Sequence, residues 1–210
     1  MSTPVSTAGG AQLRFRLPGS WWQVPLTDAA TAKASIRRLV EHQAGNRDDQ
    51  ATERENMRRR FFAAAERAIE GNGRSMHVAL EIVEDLPIPV SFTVYTPDLR
   101  LTPAIGTDGD AVIGILEQGL AARAGYDLEQ TRRFTVGDSS VLRVHHDEIM
   151  HRENPDEDIP ALVTEYWISI PGTKRVALIS FSTALSGIDE IMLGFFDSII
   201  GATYWQLPEA

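Results

Sequence analysis

Hydrophobic residues recur every three or four positions in four stretches of this chain, which is the spacing of an amphipathic helix. The pattern predicts helices over about 27–43, 48–70, 110–123 and 188–203. The last stretch is the most regular, and we expect its apolar stripe to pack against a sheet. The residues of that stripe are Ile188, Ile191, Met192, Phe195, Phe196, Ile199 and Ile200.

Other stretches alternate hydrophobic and polar residues, which is the period of a half-buried strand. Short turns at Gly137-Asp138 and Pro171-Gly172 join the last four of them into two pairs, which favours antiparallel hairpins. Because most strands are not followed by a helix, a doubly wound parallel sheet is disfavoured. The order predicts an α+β fold with a largely antiparallel sheet covered by helices. The alternating stretches are 12–17, 77–83, 91–96, 131–136, 139–145, 161–170 and 174–182.

The domain organisation follows from chain length and local composition. The 210 residues contain no linker that would divide them into two core-sized halves, so residues 12–210 are predicted to form a single α+β domain. Residues 1–11 are small and polar and include a pair of glycines. A segment with so little to bury is expected to be a disordered tail.

Three segments resemble a known group of proteins. They read FRLPGSWW near the start, YWISIPGTKRVALISFST in the second half, and IDEIMLGFFDSIIGATYW near the end. Together they resemble the Mog1/PsbP-like group of α/β/α sandwich proteins, and more closely its uncharacterised bacterial members, mainly over 12–26 and 161–205. The resemblance implies an α/β/α sandwich and a role in binding other proteins. No catalytic constellation defines that group, so the resemblance transfers none.

Composition narrows the classes of function. The chain has no cysteine, which excludes disulfides, thiolate metal sites and cysteine nucleophiles and suits a cytoplasmic location. It shows neither a signal peptide at its start nor an apolar run long enough for a membrane span, so we expect no membrane association. A net charge of -9 opposes nucleic-acid binding, and Arg58, Arg59 and Arg60 would fan around a helix axis instead of forming a stripe.

The densest polar cluster lies between two predicted strands, from His146 to Pro160, and is expected to be a surface loop. Its candidate partner-binding residues are Asp147, Glu148, Asp156, Glu157 and Asp158. His145, His146 and His151 are weak candidates for metal ligands, since a zincin needs histidines four apart on a helix with a glutamate after the first. We therefore predict neither a metal nor any other cofactor.

Two functional hypotheses follow. The leading one is a non-catalytic protein-interaction module, of the accessory, adaptor or immunity type, whose acidic surface binds a protein with a basic surface. Ser180 and Ser182 lie on a predicted strand without a nucleophile elbow, so no catalytic residue is assigned. The alternative is a metal-dependent hydrolase centred on His145–Asp158.

Overall fold

A computed structural model describes residues 4–6, 11–44, 51–84, 86, 88–99, 106–122, 130–150, 158–185 and 187–206. Its helices are α1 (Ala29–Ala44), α2 (Ala51–Glu70), α3 (Gly109–Ala121) and α4 (Asp189–Gly201). Its strands are β1 (Pro4–Ser6), β2 (Gln12–Arg14), β3 (Ser20–Pro25), β4 (Gly73–Glu81), β5 (Val90–Tyr95), β6 (Arg132–Val136), β7 (Ser139–Met150), β8 (Ile159–Ser169), β9 (Val176–Thr183) and β10 (Tyr204–Gln206).

The main sheet has seven strands in the order β3-β4-β5-β9-β8-β7-β6, and every neighbouring pair is antiparallel. A smaller sheet of three strands has the order β1-β2-β10. The prediction of an α+β fold with a largely antiparallel sheet is confirmed. The stretch 12–17 contributes only the short β2, and it belongs to the smaller sheet.

Helices cover both faces of the main sheet. On one face, α1 and α2 bury apolar side chains against β3 and β4, and α3 buries its own stripe against β7 and β8. On the other face, α4 and the small sheet enclose a core rich in aromatic rings. Cross-strand register aligns His77, Phe92 and Phe181 on that face, and Phe181 stacks on Phe196 of α4. The molecule is therefore a three-layered α/β/α sandwich.

The buried stripe of α4 differs from the predicted one at its start. Leu193 is buried, whereas Ile188 and Ile191 are 40% and 68% exposed. The first turn of α4 borders an open groove beside β7, which leaves both isoleucines partly exposed to solvent. Phe195 is half-buried, while its neighbour Phe196 is 0% exposed.

Two segments predicted to lack regular structure contain strands. Pro4–Ser6, within the expected tail, pairs with β2, because an extended backbone can satisfy its hydrogen bonds against a neighbouring strand whatever its side-chain composition. The expected loop from His146 to Pro160 is partly strand, since β7 continues to Met150 and β8 begins at Ile159. Paired strands accept charged residues when both faces are wet, so charge did not indicate a loop here.

Candidate partner-binding groove

β7 and β8 extend beyond their neighbours in the sheet. β6 pairs with β7 only as far as Arg143, and β9 pairs with β8 only from Leu162 onward. The remaining parts of the two strands pair only with each other among the described elements. We call this two-stranded projection, made of His146–Met150 and Ile159–Ala161, the β7–β8 arm. Most of its β7 side chains are exposed.

A groove of about 950 Å³ lies where the base of this arm meets the first turn of α4. Alternation along β7 directs Arg143, His145 and Asp147 to the same face of the sheet, the one that α4 covers. Leu162 lies opposite Asp147 in the β7–β8 register and also lines the groove. The opposite wall is formed by Ile188, just before α4, and by Asp189, Glu190, Ile191 and Leu193 of α4.

One wall of the groove is anchored to the sheet through Asp197 of α4. Its carboxylate accepts hydrogen bonds from Arg143 at 2.8 Å and from Arg132 at 3.0 Å. Tyr166 donates its hydroxyl proton to the other carboxylate oxygen at 2.8 Å. Burial, reinforced by this carboxylate, raises the pKa of Tyr166 well above its usual range, so the phenol stays protonated and donates. Three strands thus hold α4 at one carboxylate.

His145 lies at the base of the groove, where its surroundings favour the neutral imidazole. Partial burial lowers the pKa of His145, the neighbouring Arg143 lowers it further, and a hydrogen bond to the Gln130 backbone acts in the opposite direction. Its Nδ1 atom is buried and has no hydrogen-bond partner among the described residues. The hydroxyl of its cross-strand neighbour Thr164 is also buried without a hydrogen-bond partner among the described residues. The surroundings of His145 therefore oppose a positive charge at the base of the groove.

The rim of the groove combines negative charge with exposed apolar surface. Asp147 on β7 and Glu190 on α4 are exposed, and Asp189 is half-buried with one carboxylate oxygen that has no partner among the described residues. The exposed Ile188 and Ile191 lie beside them. The positive guanidinium of Arg143 is paired with Asp197. This arrangement suits a cationic or apolar group and disfavours a phosphate or a carboxylate.

The structure brings some of the sequence-predicted site residues to this region. Asp147 borders the groove, and Glu148 is exposed on the arm. Asp158 is half-buried immediately before β8. His151, Asp156 and Glu157 lie outside the described residues, so the assignments made to them stay predictions.

Strand geometry separates the two histidines at the base of the arm. His145 and His146 are consecutive on β7 and leave it on opposite faces, although both border the groove. Within the described residues, no three histidine, aspartate or glutamate side chains form a group that could hold a metal ion. The metal-dependent alternative, which includes His151, stays a prediction.

Sequence reasoning missed the contribution of α4. Asp189 and Glu190 were visible only as acidic residues at the start of a helix, which is an ordinary response to the helix dipole. Ile188 and Ile191 were assigned to the core. The tertiary fold places all four residues on the groove across from Asp147.

Comparisons with known proteins give little further information. No protein-family model matches the chain, and a search of curated proteins finds no match. A crystal structure of LpqN, described as involved in cell envelope biogenesis of Mycobacterium tuberculosis, is similar with a TM-score of 0.44 and 13% identity, over 98% of this chain and 91% of that one. A similarity this low establishes neither a shared fold nor a shared function. No described helix is both long and apolar enough to span a membrane.

Proposed function

We propose that this chain is a non-catalytic protein-interaction module, of the accessory, adaptor or immunity type, that binds a partner with a basic surface. The observation that carries the proposal is the rim of the groove, where Asp147, Asp189 and Glu190 surround the exposed Ile188 and Ile191. Such a mixture matches a protein segment that presents lysine or arginine beside apolar residues. The absence of cysteine supports a cytoplasmic location.

The polar groups at the base of the groove support a binding role because their contacts are structural. Arg143 is held by Asp197, and Asp197 also joins α4 to Tyr166. His145 interacts with the backbone of Gln130. These contacts fix the shape of the groove and leave the carboxylates of the rim to attract a partner.

The experiment begins with capture of the partner from the native extract, followed by association kinetics over a series of salt concentrations. In the double variant Asp147→Lys/Glu148→Lys, two exposed carboxylates become cations. We expect association to slow by about tenfold or more at low salt, because electrostatic steering of a basic partner is lost. Dissociation should change less than association.

The matched control is Asp138→Lys, which reverses an exposed charge at the β6–β7 turn, at the other end of β7. This variant should associate at nearly the rate of the unmodified protein. Equal association rates for the double variant and the unmodified protein at every salt concentration would refute the proposal that this surface binds the partner.

A further inference from the structure

Among the described residues, the edge of β7 that faces away from β8 has no partner strand over His146–Met150. The β6 strand begins at Arg132, opposite Arg143, and its pairing with β7 does not reach this stretch. In an antiparallel strand, alternate residues direct their N–H and C=O groups away from the existing neighbour. Five consecutive residues therefore present a short row of donors and acceptors that another strand can use.

The two edges of the arm are not equivalent. On β8, Pro160 lies opposite Ile149 and has no N–H to donate to an added strand. Within β7, the stretch from His146 to Met150 contains no proline, so every residue keeps its donor. Within the part of the chain that the structure describes, the arm is thus protected on its β8 edge and open on its β7 edge.

The charges of the open edge decide between possible occupants. Asp147 and Glu148 are both exposed, so the same edge of a second copy of this chain would bring like charges together. A segment with basic residues would instead place opposite charges across the new pair of strands. The carboxylates Asp189 and Glu190 add to this preference on the α4 side.

The register further defines the occupant. Asp147 and Glu148 leave β7 on opposite faces, so one cation is needed on each face of the added strand. Two adjacent basic residues satisfy this requirement, because consecutive side chains of a strand also alternate. Ile149 follows on the α4 face and is 50% exposed, which favours an apolar residue beside the basic pair.

We infer that the partner binds by adding an extended segment, with two adjacent basic residues beside an apolar residue, to the open edge of β7 at His146–Met150. The inference rests on the proposed function and specifies its mode of recognition. Backbone hydrogen bonds supply the pairing, and the carboxylates of the arm and groove select a basic sequence.

The test uses an acetylated and amidated peptide of eight residues in which two adjacent lysines are flanked by valine and threonine. A second peptide has the same sequence with alternate backbone nitrogens methylated on the edge that would pair with β7. Hydrogen exchange of the full chain is measured with each peptide. We expect the unmodified peptide to slow exchange of the outward-facing amides within His146–Met150 by about tenfold at saturation, and the methylated peptide to bind at least tenfold more weakly.

The variants of the chain provide matched controls. Asp147→Lys/Glu148→Lys should lose at least tenfold in affinity for the unmodified peptide, whereas Asp138→Lys should keep it. Equal binding of the two peptides, protection outside His146–Met150, or no binding of the unmodified peptide at millimolar concentration would overturn the inference.

These outcomes are distinguishable from failure of the proposed function. If the double variant slows association of the captured partner while the two peptides bind equally or not at all, this surface binds a basic partner without strand addition. If the double variant also leaves association of the captured partner unchanged, both the function and its mode are refuted.

Discussion

Because His77 on β4 is buried, we expect the free energy of unfolding of this protein to depend on pH. The side chain is 1% exposed, stacks on Phe92 with ring centroids 4.4 Å apart, and has its Nε2 3.0 Å from the Ser75 hydroxyl. Burial lowers the pKa of His77 from its ordinary value of 6.5 to about 4. The cause of the shift is desolvation, because an imidazolium in this aromatic core would lose its hydration.

The sign of the effect follows from the direction of the shift. Between the folded pKa of about 4 and the unfolded value of 6.5, the unfolded chain binds a proton that folded His77 does not. The contribution of this group to the free energy of unfolding is therefore complete above pH 6.5 and is lost as the pH falls toward 4. At about 1.4 kcal/mol per pKa unit, the loss amounts to about 3 kcal/mol.

The perturbation is His77→Phe, which keeps an aromatic ring against Phe92 and removes the titrating group. The Ser75 hydroxyl loses a partner, which costs about 1 kcal/mol at every pH and does not affect the slope. Urea unfolding followed by tryptophan fluorescence is measured at several values between about pH 7 and pH 4. We expect the stability of the variant relative to the unmodified protein to rise by about 3 kcal/mol across that range.

The control is His42→Phe, which makes the same replacement at an exposed position on α1. Comparing each variant with the unmodified protein removes the contribution of carboxylates that titrate in the same range. A change of less than about 1 kcal/mol between pH 7 and pH 4 for His77→Phe would show that the histidine is hydrated or charged in the folded state.

Two further predictions concern α4 and are measured by urea unfolding at pH 7. Phe196→Ala should lower the free energy of unfolding by about 3 to 5 kcal/mol, because the ring of Phe196 is fully buried. Phe195→Ala should lower it by clearly less, because Phe195 is only half-buried. Equal losses would contradict the observed buried stripe of α4. Asp197→Asn should lower the free energy of unfolding by about 2 to 4 kcal/mol, because it leaves Arg143, whose side chain is 13% exposed, without its counter-charge. The control is Asp138→Asn at an exposed position. A loss near zero for Asp197→Asn, or an equal loss for the control, would refute the role of Asp197 in anchoring α4.

Local sequence patterns determined the elements and the class of the fold. The 3.6-residue and two-residue periods placed four helices and most strands, because each period reports which side of one element is buried. Two short turns with glycine identified antiparallel hairpins for the same local reason. The closing helix shows the limit of such patterns. Its period was correct, but the period could not show that Ile188 and Ile191 extend beyond the surface on which α4 packs.

The candidate site depended on tertiary structure. Asp147 and Asp189 are distant in sequence, and they share a groove because β7 lies next to β8 and α4 crosses that face. Asp147 and Glu148 contributed to the prediction of a loop, although their backbone pairs with β8 and their side chains are exposed. Local sequence records whether a residue prefers water, and exposed strand and loop satisfy that preference equally. Strand order, the open edge of β7 and the contact of Arg143 with Asp197 arise only from long-range packing, which no local period encodes.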